Sequence, residues 1–293
     1  MLTDGGIETR VIYEFGRALS DFAAFTLLDD AEGCRILEEI YRSYLDVAIE
    51  SSLRIQLGTP TWRASQRWTS DVERVNHHAV ELLLEAIDEH RHDTILAGVI
   101  GPASDGYDPS AALDAESAQA YHLEQAAALA SAGVDLLYAP TFPSFQELLG
   151  VARAMAQTGV PYVLAPMLRD EGTMIDGTPL GEAIARIDEH TSPPPAHYMI
   201  GCLYPTHAAN ALRATRKTYP REVERVRGLK ANASALSADE LDRADEVESE
   251  PVKTFARDEI LCAREFNLEI LGGCCGTDEH HIAEIARAYT GGA

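Results

Sequence analysis

Apolar residues fall into two kinds of segment that alternate along the whole chain. Short apolar runs read as strands: "MLTDGG" at the start, "LRIQLGT" from Leu53, "TILAGVIG" from Thr94, "VDLLYAPT" from Val134, "PYVLAPM" from Pro161, "HYMIGC" from His197, "RVRGLKAN" from Arg225 and "LEILGGCC" from Leu268. Between them, stretches such as "AEGCRILEEIYRSYLDVAIE", "VERVNHHAVELLLEAIDEH" and "DAESAQAYHLEQAAALASAG" return to apolar residues every three or four positions, the period of an amphipathic helix. Eight such strand–helix units in 293 residues predict an α/β chain folded as a single (β/α)₈ TIM barrel spanning residues 1–293. A doubly wound open sheet is the second reading. The first strand is followed by no G-x-G-x-x-G and the chain has no phosphate-loop motif, which favours the barrel.

Two polar or rigid stretches punctuate the pattern. "SPPPAH", Ser192 to His197, reads as a stiff entry into the sixth strand rather than a domain linker. Residues 233–250, "ASALSADELDRADEVESE", read as a surface excursion after the seventh strand, with a lid as the alternative.

Composition narrows the partner classes. Hydrophobic residues at 46% and charged residues at 24% are ordinary for a globular enzyme. A net charge of −23, from 47 acidic against 24 basic side chains, would repel nucleic acid. Lysine occurs only at 217, 230 and 253, so arginine supplies most of the positive charge of what reads as a solubilising surface. Charged Asp4, Glu8 and Arg10 interrupt any leader-like start, and no long uncharged apolar run follows. A soluble cytoplasmic protein without membrane partners is expected, with no oligomeric state assigned.

The five cysteines are Cys34, Cys202, Cys262, Cys274 and Cys275, too few and too irregular for a secreted disulfide framework. Cys34 and Cys262 fall in helical stretches and read as packing residues. Cys202 ends the sixth strand while Cys274 and Cys275 end the eighth, which places three thiols on the C-terminal rim where barrel enzymes carry their chemistry. Three thiolates suit Zn²⁺, which takes sulfur at about 2.3 Å in a tetrahedral set. A fourth position would then be open to a substrate thiol, held as thiolate below its free pKa of about 8.5. Gly272, Gly273 and Gly276 would let the backbone bend so that consecutive thiols face one centre. The competing readings are small thiols packed in a tight turn, or a vicinal disulfide in a redox pair.

These residues resemble the zinc-dependent homocysteine S-methyltransferase family, which includes betaine and S-methylmethionine users and the homocysteine module of cobalamin methionine synthase. The most specific element is "GGCCGT" at Gly272 to Thr277, followed by "DEHHIAEIA"; "MIGCLYPTH" around Cys202 is similar to the segment of the earlier ligand. "DGG" at Asp4 to Gly6, "TPTWRAS" at Thr59 to Ser65, Gly101-Pro102, "TFPS" at Thr141 to Ser144 and "KANAS" around Asn232 follow in the family's order. The resemblance implies that Cys202, Cys274 and Cys275 bind zinc and carry catalysis. It also implies in-line methyl transfer from a sulfonium or ammonium donor to a small thiol, homocysteine giving methionine. Asp4, Gly5, Thr59, Thr141 and Asn232 are the substrate contacts it suggests, Asp4 for an ammonium and Asn232 for a carboxylate or for holding the loop. Plain turn or cap roles are the alternatives for both. Two positions depart from the family pattern: Gly201 stands where Asn usually precedes the first zinc cysteine, and Pro140 where Glu usually greets the amino group of homocysteine.

Secondary candidates are the aromatic residues Trp62 and Phe142, for a donor cation or for the core, and His207, for substrate or for a helix start. His77 and His78 read as a solvated mid-helix pair, and His280 and His281 as the start of the final helix. No D-x-H-x-x-G sequence for a bound cobalamin is present. Two other functions compete: a related zinc barrel acting on another thiol or demethylating sulfur compounds, and a zinc-binding or redox-sensing barrel without turnover.

Overall fold

The computed structural model describes residues 1–236 and 249–291 of the chain, apart from the side chains at 89 and 92. Most of the predicted polar excursion, 237–248, lies outside the described residues. Eight parallel strands close on themselves: β1 (Leu2–Thr3), β2 (Ile55–Gly58), β3 (Thr94–Val99), β4 (Leu136–Phe142), β5 (Tyr162–Pro166), β6 (His197–Gly201), β7 (Val226–Ala231) and β8 (Ile270–Gly273). Seven lie inside the predicted runs and β4 overruns its run by one residue, Phe142. The short β1 closes the ring, pairing Leu2 with Ile55 of β2 and with Leu271 of β8.

One long helix follows each strand on the outside: α1 (Ala31–Ser51), α2 (Val72–Ile87), α3 (Ala115–Ser131), α4 (Phe145–Ala156), α5 (Leu180–His190), α6 (Pro205–Thr218), α7 (Val252–Phe266) and α8 (Glu279–Thr290). Their starts are set by local chemistry. The carboxylates of Asp30, Asp71, Asp114 and Asp278 accept from the first free N–H groups of α1, α2, α3 and α8. In α1 the buried positions Gly33, Ile36, Leu37, Ile40, Tyr41, Tyr44, Leu45 and Ala48 keep the three-and-four spacing of a helix docked on a sheet.

The core has two layers. Side chains pointing into the barrel, among them Ala97, Tyr138, Val163, Ala165, Met199 and Ile270, form the inner one. A larger cluster, with Leu57, Leu96, Leu137 and Ile200 facing the helices, forms the outer one. A short extra helix, Glu8–Tyr13, lies between β1 and α1. Buried Arg10 fixes it, reaching Glu14 at 2.7 Å and Glu279 at the start of α8 at 2.9 Å. No helix among the described residues is long and apolar enough to cross a membrane.

Candidate metal centre and its pocket

Residues 202, 274 and 275 meet because the strands that carry them flank β7. The Cys202 N–H donates to Lys230 O at 2.9 Å and the Cys274 N–H to Ala231 O at 2.7 Å. Just beyond, the Ala233 N–H donates to Cys275 O at 3.0 Å, so both cysteine segments are locked to one strand end. Cys202 adopts φ 52°, a left-handed conformation that costs a non-glycine residue about 1 kcal/mol or more and turns its side chain over the barrel mouth. The neighbouring glycines serve in two ways. Gly276 supplies φ 75°, whereas Gly272 and Gly273 are needed for close approach, since a Cβ would meet Thr3 Oγ1 at 2.2 Å and Thr277 Oγ1 at 2.0 Å.

The three sulfurs all lie within 4.8 Å of one another, with Cys202 Sγ at 3.5 Å and Cys274 Sγ at 4.0 Å from Cys275 Sγ. Sulfurs about 2.3 Å from a tetrahedral centre are about 3.8 Å apart, so the set fits zinc. Its electrostatics fit too. Hydrogen bonding from Cys274 and Cys275, helped by the Tyr107 phenol, holds Cys202 well below the usual thiol range. The same bonding to Cys202, and its charge, push Cys274 and Cys275 well above it. The protein alone thus supports one thiolate in this cluster; ionising all three calls for a cation. Asn232, buried behind Cys202, donates from Nδ2 to its sulfur at 3.7 Å and accepts from Ser234 N with Oδ1 at 2.9 Å.

A pocket opens above the thiols. Asp4, Gly5, Thr59 and Thr141 line it, as do Trp62, Pro140 and Gly201, whereas Asn232 does not. Asp4 is buried and engaged: Oδ2 accepts from Gly58 N at 2.7 Å and Oδ1 pairs with the Lys230 ammonium. The hydroxyl of Thr59 accepts from Val99 N at 3.0 Å and lies 2.6 Å from Thr61 Oγ1. Thr141, at φ 64°, accepts from Trp62 Nε1 at 2.9 Å. The Arg63 guanidinium lies over one face of the Trp62 ring, 4.0 Å from its centroid.

The structure decides between the alternatives at the secondary candidates. Phe142 is fully buried against the His122 ring, 5.4 Å between centroids, and belongs to the outer core rather than the pocket. His207 bridges Asp170, at 2.6 Å, and the carbonyl of Ala235, at 3.2 Å, away from the pocket lining. His77 lies 2.9 Å from Ser131 Oγ and His281 completes the cap of α8 with Asp278, so neither is near the sulfurs. The sequence reading missed Lys230, Tyr138, Tyr107, Glu8 and Phe22 as lining residues. Alternation along β4 and β7 was a usable signal for Tyr138 and Lys230. Tyr107, whose Oη lies 3.6 Å from Cys202 Sγ, comes from an irregular loop and had none.

The family model described as homocysteine S-methyltransferase matches residues 1–289. Homocysteine S-methyltransferase YbgG of Bacillus subtilis (strain 168) is 23% identical over 309 aligned positions, covering 98% of this chain and 93% of that protein. Methionine synthase of Mycobacterium leprae (strain TN) is 28% identical over 183 residues, which is 57% of this chain and only 14% of that protein. In fold, the chain is similar to the homocysteine methyltransferase MmuM from Escherichia coli. The metallated form gives a TM-score of 0.75 at 20% identity, over 98% of this chain and 95% of that one. The oxidised form gives 0.77 at 22% identity, over 97% and 94%. With a match that runs nearly end to end and a three-cysteine rim that fits zinc, the chain belongs to the homocysteine S-methyltransferase family, enzymes that transfer a methyl group to a thiol with zinc.

Proposed function

We propose that Cys202, Cys274 and Cys275 hold the zinc and that a small thiol and a cationic methyl donor meet in the pocket above them. The observation that carries this reading is the set of three sulfurs within 4.8 Å of one another under a pocket at the C-terminal rim. Zinc bound there would supply the Lewis acidity that keeps an acceptor thiol ionised at neutral pH. Asn232 keeps the Cys202 sulfur aimed at the centre. Gly5, Thr59 and Thr141 shape the wall against which the acceptor lies.

The acceptor sulfur attacks the methyl carbon in line, the new C–S bond forming as the methyl leaves the sulfonium or ammonium donor. The bonding pair stays with the donor heteroatom, which becomes neutral. Both charges shrink along this path, so alignment and exclusion of water matter more than a general acid. Phe22, Trp62 and Tyr107 supply aromatic faces at the mouth for the donor cation. Homocysteine, the thiol in the names of the family and of YbgG and MmuM, is the reference acceptor.

The test is zinc content of the reduced protein together with methyl transfer from S-methylmethionine or betaine to a panel of thiols that includes homocysteine. About one zinc per chain and thiol methylation lost in all three cysteine-to-alanine variants is the expected result. Full zinc occupancy in those variants would overturn it.

A further inference from the structure

Two polar side chains at the floor of the pocket are not accounted for by methyl transfer itself. Lys230, third from the end of its strand run "LKAN", points its ammonium into the barrel, pairs with Asp4 and lines the pocket. Tyr138 lines it from β4; the residue is 3% exposed, and its hydroxyl has no hydrogen-bond partner among the described residues. A buried hydroxyl without a partner is destabilising, a cost that a ligand acceptor would remove. The third element is a space. Gly201 has no side chain beside Tyr138, and a Cβ there would meet Tyr138 Oη only at 3.7 Å.

The acidic side of the pocket is occupied. Asp4 spends one oxygen on Lys230 and the other on the Gly58 N–H, so an incoming ammonium would have to displace an ammonium the protein already carries. Glu8 is the other carboxyl of the lining; from the short rim helix it lies close enough to Lys230 and Asp4 for their charges to act on it, so it too faces the ammonium the protein already carries. Lys230 has three donors and gives one to Asp4, and Tyr138 has one to give.

We infer that the acceptor is a small thiol bearing an anionic group and no amino group, its acid bound by Lys230 Nζ and Tyr138 Oη while its sulfur sits over Cys202, Cys274 and Cys275. This rests on the thiol-acceptor reading above. Lys230 then plays two parts: it neutralises Asp4 and presents the positive charge that selects an acid. Charge-assisted hydrogen bonds of this kind discriminate strongly, because a wrong partner leaves buried groups unpaired.

The test is calorimetric titration of the reduced, zinc-loaded protein with 4-mercaptobutyrate and with L-homocysteine, which differ only in the amino group. 2-Mercaptoethanesulfonate serves as a third arm that separates a carboxylate from a sulfonate. At least one amino-free acid is expected to bind about tenfold tighter than homocysteine or better. Tyr138→Phe, which keeps the ring and the packing, should weaken that acid about tenfold and leave homocysteine little changed. Lys230→Met should abolish the preference for the acid. Zinc-dependent binding with homocysteine preferred, or a Tyr138→Phe protein that binds the acid as well as the parent, overturns this acceptor class alone. A protein that takes up no zinc, or binds no thiol when loaded, overturns the methyltransferase reading and this inference together.

Discussion

Glu259 of α7 accepts a hydrogen bond from the backbone N–H of Gly272 in β8 at 3.0 Å, while its second oxygen has no partner among the described residues. The residue is fully buried, and Gly272 stands two residues before Cys274. Burial pushes its carboxyl well above the usual range, and the Gly272 N–H only partly opposes this. The side chain is therefore a neutral acid in the folded state. A folded pKa above the unfolded one gives a contribution that is complete below about pH 4.5 and is lost as pH rises through the folded value. Glu259→Gln keeps the acceptor and removes the titration. Relative to the parent, this variant should gain stability as pH rises from about 5 to about 8, as measured by urea unfolding. A parent–variant difference that does not change with pH would contradict the assignment.

The cysteines should divide into two classes. Alanine at Cys202, Cys274 or Cys275 should lower zinc affinity at least about a hundredfold, read by competition with a chromophoric chelator. Cys34 and Cys262 should be replaceable without loss of metal. Cys262, whose thiol burial pushes up to about 12, should react with thiol reagents only on unfolding, and Cys262→Ala should cost about 1 kcal/mol as a small cavity. Asn232→Ala should weaken zinc about tenfold through loss of the bond to Cys202 Sγ. Equal zinc affinity in that variant would reduce Asn232 to a turn residue held by Ser234 N.

The barrel and its thiols were legible because both depend on local regularities: short apolar runs, helical three-and-four spacing between them and cysteines at two strand ends. Phe142 shows where such regularity fails. Along β4, Tyr138 and Pro140 face the barrel interior, and an unbroken strand would put Phe142 on the same side. The register slips between Pro140 and Phe142, with Thr141 at φ 64°, so Thr141 takes the inward place and Phe142 turns to the helices. Nothing in "APTF" announces a bulge at a β-branched residue. Lys230 was hidden differently: its significance lies in a partner 226 residues away, which no local pattern supplies.

Glu147 of α4 anchors the loop that brings Tyr107 over the thiols. One oxygen accepts from Ala103 N at 2.7 Å and lies 3.0 Å from His122 Nε2; the other accepts from Leu113 N at 3.4 Å. Ala103 and Leu113 bracket Tyr107. Glu147→Ala should cost about 3 kcal/mol in urea unfolding, since it leaves the buried Ala103 N–H, the half-buried Leu113 N–H and a buried histidine without their acceptor. It should also free the Tyr107 hydroxyl from its place 3.6 Å from Cys202 Sγ. In the metal-free protein the Cys202 thiol should then react several-fold faster with a disulfide reagent, measured against Tyr107→Phe as a control that removes only the hydroxyl. A variant of unchanged thiol reactivity would mean that the loop is held by other contacts.

His197 gives the barrel a second pH dependence, at the end opposite the pocket. It begins β6, its Nε2 is buried without a partner among the described residues, and its neighbours include Arg225 and Arg227. Burial first, then the two arginines, push its pKa down to about 4, so the folded protein holds it neutral. The unfolded chain takes up that proton near pH 6.5. The folded value being the lower one, the contribution is complete above about pH 6.5 and is lost as pH falls towards 4. Because the ring is only half-buried, solvent screening reduces the loss to about 1–2 kcal/mol. His197→Gln should remove that part of the acid sensitivity while leaving zinc binding at the other rim untouched. Urea unfolding of both proteins at pH 7 and pH 5, with the imidazole followed by NMR, checks it: a ring that titrates near pH 6.5 in the folded state would contradict the proposal that burial holds it neutral.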